Sequence, residues 1–283
     1  MYRMTLSAFS DEIDPMLEKQ IPVLKRCGIS YTEIRGVNGK GIDLYSLEEA
    51  AQVKRELKDG GISVSAIGSP IGKISITDDS EPHFQHFQHV VELAKLFETN
   101  YIRMFSFYIP DDRDPSDFQD EVLRRLKRLI EYAEKNDVVL LHENEKKIFG
   151  DNAERCLTLF RELYGPHFRC TFDPANFIQC GQDTLEAYDM LRPYLCYLHV
   201  KDALKENGKV VPAGQGDGNL TVLLNRLKES DYQGFVSLEP HLTDFNGFST
   251  LEKDAEKAGK SKANGEEAFL TAFRALNGLL ANL

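Results

Sequence analysis

Eight short strand-like runs recur along the 283-residue chain, and most of the intervals between them hold a segment of helical periodicity. The runs are "MTLSAF", "YTEIRG", "ISVSAIG", "YIRMFSF", "VVLLHE", "RCTFD", "LCYLHVK" and "FVSLEP", beginning near residues 4, 31, 62, 101, 138, 169, 195 and 235. They are rich in β-branched or apolar residues and bounded by turn formers. The intervals carry stretches such as "PHFQHFQHVVELAKLFE" and "DEVLRRLKRLIEYAEK", in which apolar residues return at helical spacing. Such alternation demands parallel strands joined by helical crossovers, and eight units can close into a barrel with its functional end at the strands' C-termini. The expected fold is therefore α/β, a (β/α)8 TIM barrel formed as a single domain over residues 1–283. An open, doubly wound sheet is the alternative, but no G-x-G-x-x-G follows the first strand. No Pro-, Gly- or Ser-rich linker divides the chain, and the charged run at 252–267 reads as a solvated surface segment before the last helix.

Charge narrows the partners. With 45 acidic residues against 34 basic ones the net charge is −11, which repels a polyanion, so a small substrate is favoured over nucleic acid. No apolar run approaches the roughly 18 residues of a membrane helix, so no membrane is expected as a partner. The opening "MYRMTLSAFSDEIDP" fits neither a secretory signal nor an Arg-rich transit peptide, and a cytoplasmic protein is expected. Five scattered cysteines, Cys27, Cys156, Cys170, Cys180 and Cys196, never spaced C-x-x-C, suggest neither a disulfide framework nor a zinc knuckle.

On a barrel, the ends of strands five to eight fall in "LLHENEK", "TFDPANF", "YLHVKD" and "SLEPHL". They offer Glu143, Asp173, His199 and Glu239, one metal-competent group on each of four neighbouring strands. Side chains alternate along a strand, so Tyr197, His199 and Lys201 share one face and Leu198, Val200 and Asp202 the other. Three carboxylates converging on one imidazole repel one another unless a cation holds them. Three oxygen ligands and one nitrogen favour Mn²⁺, Mg²⁺ or Co²⁺, with Zn²⁺ or Fe²⁺ as further options. Four protein ligands leave coordination positions for a sugar carbonyl and its adjacent hydroxyl. Lewis-acid stabilisation of an enediolate would follow, with flanking carboxylates shuttling the proton.

"HENEK", "FDPANF", "HVKDA", "PAGQGDG" and "SLEPHL", in this order and at these intervals, resemble the sugar isomerase and epimerase superfamily of xylose isomerase-like TIM barrels. "GSPIGK" followed by "YIRMFSFY" is also similar to members described as sugar phosphate isomerases/epimerases. The resemblance spans essentially the whole chain. It implies that Glu143, Asp173, His199 and Glu239 bind one divalent metal and that Glu143 and Glu239 are the acid/base pair on a small sugar or sugar phosphate. It leaves the oligomeric state open, related barrels forming dimers or tetramers through their outer helices, so a homodimer or homotetramer is in view. One departure is Asn176, where the ketose epimerases commonly carry a His three residues after the metal Asp; an amide can hydrogen-bond substrate but is no general acid. An inosose dehydratase-type lyase on the same barrel is the alternative reaction. An abasic-site endonuclease-like phosphodiesterase ranks lower, because strands two to four offer no His for its multi-zinc cluster.

Other polar residues fall near the mouth. Lys73, Arg103 and Lys201 are candidates to neutralise a phosphate or carboxylate on the substrate. Glu33, Asn176 and His241 are candidates to contact sugar hydroxyls. Glu145 shares the face of Glu143 but lies past the expected strand end. The glycines of "AGQGDG" (213–218) let backbone N–H groups approach an anion or a sugar. His83, His86 and His89 turn through about 120° over six helical residues, so they read as one partly exposed helix face rather than a metal cluster.

Overall fold

All eight expected runs form one parallel sheet in a computed structural model that describes residues 4–243 and 264–283. The strands are β1 (Thr5–Ala8), β2 (Tyr31–Ile34), β3 (Ser63–Gly68), β4 (Tyr101–Met104), β5 (Val139–Glu143), β6 (Phe168–Phe172), β7 (Leu195–Val200) and β8 (Phe235–Leu238). Their hydrogen-bonded order is β1-β8-β7-β6-β5-β4-β3-β2, so chain neighbours lie side by side and β1 rejoins the end of the series. At the seam between β1 and β2, Thr32 Oγ1 donates to the Ala8 carbonyl at 3.0 Å. The barrel and its strand positions agree with the sequence reading to within a residue or so.

Helices cover the outside: α1 (Leu17–Arg26), α2 (Leu47–Asp59), α3 (Ser80–Leu96), α4 (Gln119–Lys135), α5 (Ala153–Leu163), α6 (Pro174–Gln179), α7 (Thr184–Leu191), α8 (Leu220–Glu229) and, after the undescribed stretch, α9 (Gly265–Ala281). Local chemistry sets their ends. Ser46 and Glu49 form a reciprocal capping box on α2, and Asp173 caps α6 with Pro174 at the first helical position. On α4, Val122, Leu126, Leu129 and Ala133 form the buried stripe that packs on the barrel. The charged run expected at 252–267 lies outside the described residues as far as position 263. No helix among the described residues is long and apolar enough to cross a membrane.

Two layers fill the barrel. Toward the strands' N-terminal ends, Tyr31, Tyr101, Tyr197 and Phe235 pack edge to face or tilted, and the Ser65 hydroxyl bonds both Ser7 Oγ (2.6 Å) and Tyr197 OH (2.9 Å). This plug leaves only the C-terminal half for chemistry. There the inward positions become charged: Glu33, Arg103, Glu143 and His199 are all buried.

Candidate active site

Glu143 is the last residue of β5, Asp173 follows β6, His199 is the penultimate residue of β7 and Glu239 follows β8. The backbone carries Glu239 past its strand by a further rung, its N–H donating to the Val200 carbonyl at 3.2 Å. One ligand atom from each of these four buried side chains lies within 4.8 Å of all the others. His199 divides its two nitrogens. Nδ1 faces the group, 3.1 Å from Glu143 Oε1, 3.6 Å from Glu239 Oε2 and 3.9 Å from Asp173 Oδ2, while Nε2 faces Glu33 Oε2 at 3.1 Å.

Asp173 also has divided roles. Its Oδ1 accepts the Asn176 N–H at 3.0 Å as the α6 cap, which turns Oδ2 into the barrel. Oδ2 is buried and has no hydrogen bond; Lys201 Nζ lies 2.7 Å away but out of hydrogen-bond alignment. A buried carboxylate oxygen that makes no hydrogen bond, beside two further carboxylates and an imidazole, is the environment a divalent cation completes. The donor set therefore fits a metal bound by Glu143, Asp173, His199 and Glu239.

The electrostatics follow from burial set against neighbours. Burial pushes the Asp173 carboxyl up to about 7 despite Lys201, with Glu239 and Glu143 adding to the rise. Burial opposes ionisation of Glu143 too, yet His199 and Arg103 hold it down at about 2. Glu239 is likewise held well below the carboxylate range against burial, by Lys201 and then His241. His199, although desolvated, is raised well above the usual imidazole range by Glu33 and Glu143.

The remaining candidates take definite places. Lys201 Nζ donates to Glu239 Oε2 at 3.0 Å, and Arg103 Nε lies 3.3 Å from Glu143 Oε2 and 3.7 Å from Glu33 Oε1. Lys73 sits over the Phe105 ring and reaches Glu145 Oε2 at 3.3 Å. β5 ends at Glu143, so Glu145 pairs with Lys73 and is not among the four grouped side chains. Asn176 Nδ2 donates to Glu143 Oε1 (3.2 Å) and the Asn144 carbonyl (2.9 Å). Glu33, expected against sugar hydroxyls, is fully buried behind His199. His241, in the left-handed region at φ 46°, places Nε2 3.3 Å from Glu239 Oε1 and 3.4 Å from Glu12 Oε1.

Sequence reasoning missed Asp11, Glu12 and Arg35. Arg35 grips Asp11 through Nε and Nη2 (2.8 and 3.0 Å), reaches Glu12 at 3.1 Å and Glu239 Oε1 at 3.1 Å, and stacks on Phe9. Glu12, Glu239 and His241 form a second group with metal-ligand spacing, but there Arg35 already supplies the positive charge. The signal was present: Asp11, Glu12 and Arg35 fall at or just past the C-terminal ends of β1 and β2, as the four grouped side chains do on β5 to β8.

The family described as xylose isomerase-like TIM barrel matches residues 21–263. The chain belongs to the xylose isomerase-like TIM barrel family. A 3-dehydroshikimate dehydratase from Bacillus anthracis is 22% identical over 233 residues, covering 75% of this chain and 81% of the relative. The crystal structure of D-allulose 3-epimerase from Methylomonas sp. superposes with a TM-score of 0.75 at 13% identity, covering 100% of this chain and 99% of the other. That of the IOLI protein with a binding zinc atom gives 0.74 at 16% identity, covering 99% of each. At these identities the structural likenesses establish the barrel itself.

Proposed function

We propose that this xylose isomerase-like barrel is a divalent-metal-dependent isomerase or epimerase that moves a proton at a carbon next to a carbonyl in a small sugar-like substrate. The observation that carries the reading is the grouping of Glu143, Asp173, His199 and Glu239, with the two glutamates at the ends of the four-strand arc. A bound divalent ion supplies a Lewis acid to the substrate's oxygens. Glu143 and Glu239 face the substrate from opposite ends of that arc, one taking the proton and the other returning it. Arg103 and Asn176 orient Glu143, and Lys201 and Arg35 orient Glu239. Mn²⁺, Mg²⁺ or Co²⁺ suits the oxygen-rich donors best. The zinc in the IOLI protein supports a metal in such a barrel without choosing among ions.

Dehydration is the second reading, favoured by two observations. Asn176 stands where the resembled epimerases carry His, and its amide is committed to Glu143 and Asn144. The curated relative from Bacillus anthracis is a dehydratase. Both reactions begin with the same proton abstraction and differ in whether a hydroxyl then leaves. Against phosphodiester cleavage, the residues just past β2, β3 and β4 are Arg35, Ser69 and Phe105, with no histidine among them.

Glu143→Gln and Glu239→Gln are each expected to lower deuterium exchange at the substrate's α-carbon by about 100- to 10,000-fold. NMR in deuterated buffer, over a panel of ketoses and keto-polyols, measures it. Exchange at the wild-type rate in either variant removes that glutamate from the reaction, and loss of a hydroxyl during exchange selects the dehydratase.

A further inference from the structure

We infer that the substrate of this site is an uncharged polyhydroxylated carbonyl compound, not a phosphate ester or a carboxylate, because the four cations buried at the described mouth each already lie against a buried carboxylate. The inference rests on the proton-transfer reading for which end of the barrel is used, while its test reads charge independently of chemistry. Among the described residues, four cations with side chains less than a tenth exposed line the mouth. Arg35 is held by Asp11, Glu12 and Glu239, and Arg103 lies between Glu33 and Glu143 with Nη1 donating to the Ser69 carbonyl at 3.1 Å. Lys201 lies against Asp173 and Glu239, and Lys73 between Glu145 and the Phe105 face.

An anionic substrate group would have to draw one of these cations away from its carboxylate. The abandoned carboxylate would remain desolvated, since all seven acids are at least nine-tenths buried as residues. A buried charge left without its partner is costlier than the pair was favourable. Substrate phosphates and carboxylates are recognised by Arg or Lys with free donors, whereas Arg35, Lys73 and Lys201 each donate to a carboxylate, and Arg103 Nε, though it makes no hydrogen bond, lies within ion-pair range of Glu143 and Glu33.

The charge balance agrees. Asp11, Glu12, Glu33, Glu143, Glu145, Asp173 and Glu239 give seven negative charges against four positive ones. Counted by residue type, one divalent ion leaves a single negative charge in excess among these groups. Among these described groups no positive surplus remains to attract an anion. Hydroxyl groups suit such a lining better, because each both donates to a carboxylate and accepts from a cation without displacing either.

The test titrates Mn²⁺-loaded protein with matched pairs: D-fructose against D-fructose 6-phosphate, D-tagatose against D-tagatose 6-phosphate, and D-fructose against 2-keto-D-gluconate. Paramagnetic relaxation of the ligand protons reports binding at the metal, and deuterium exchange is read on the same samples. The uncharged member should bind at least about ten-fold more tightly in each pair. Equal or tighter binding of a charged member in any pair, or no binding by any uncharged member, overturns the inference. Uncharged members that bind near Mn²⁺ without exchanging a proton would support the charge assignment while removing the proton-transfer reading.

Discussion

Glu33 reaches the proposed chemistry through His199, with Arg103 as a second, longer link to Glu143. Its Oε2 lies 3.1 Å from Nε2, the nitrogen turned away from the other ligands. Fixing the proton on Nε2 leaves the Nδ1 lone pair for the cation, the usual second partner of a metal-bound imidazole. Replacing Glu33 by Gln keeps the side chain's size but removes its charge. The Mn²⁺ affinity of Glu33→Gln should fall by about 10- to 100-fold, with the circular dichroism spectrum unchanged. Calorimetric titration measures this, and wild-type affinity would show that His199 needs no such anchor. Asp173 makes the same point by another route: its helix cap explains Oδ1 and leaves Oδ2 without a hydrogen bond. A turn-forming residue and a proposed metal ligand are here one side chain.

At the scale of elements, β7 and the loop after it work as a unit. Alternation sends His199 and Lys201 inward and Asp202 outward, where its carboxylate accepts the backbone N–H groups of Gly214, Gly216 and Gly218 at 2.8, 3.0 and 2.9 Å. The glycine loop does cradle an anion, but the anion is this chain's own Asp202. A side chain at Gly216 or Gly218 would collide with that carboxylate, so the loop needs glycine there for close approach. Asp202→Ala leaves four amides, that of Ala203 included, without their acceptor and should cost about 3 kcal/mol or more, the two fully buried bonds from Ala203 and Gly218 alone being worth roughly 1–3 kcal/mol each. A denaturant-unfolding midpoint checks this, and an unchanged midpoint would show that water replaces Asp202 fully. The histidines of α3 also separate by direction. His83 Nε2 accepts the Gly72 N–H, His86 faces Asp43 and His89 faces the Tyr45 carbonyl, so each ties the helix to a different neighbour.

On the scale of the whole molecule, a metal shared by β5 to β8 would link half the barrel's circumference. A ligand bound only by the folded state stabilises it by about 2.7 kcal/mol at 100-fold excess over its dissociation constant. Chelator-treated protein should therefore melt several degrees below protein with saturating Mn²⁺, and calorimetric scans with and without chelator test this. Identical scans would mean that the four side chains hold no ion. Strand order, and the barrel it implies, were legible in the residues because the alternation of β and α units is local and admits few topologies. The meeting of Glu143, Asp173, His199 and Glu239 was legible too, since each follows from its own strand's end. What tertiary structure alone decided is the pairing across the mouth. Arg35 reaches Glu239 over 204 positions of chain and Glu33 reaches His199 over 166, distances at which no periodicity carries information. Residue types can say that cations and acids share the barrel's mouth. Which cation each acid holds depends on how far the sheet curls before it closes, and that is settled by the packing of all eight strands together.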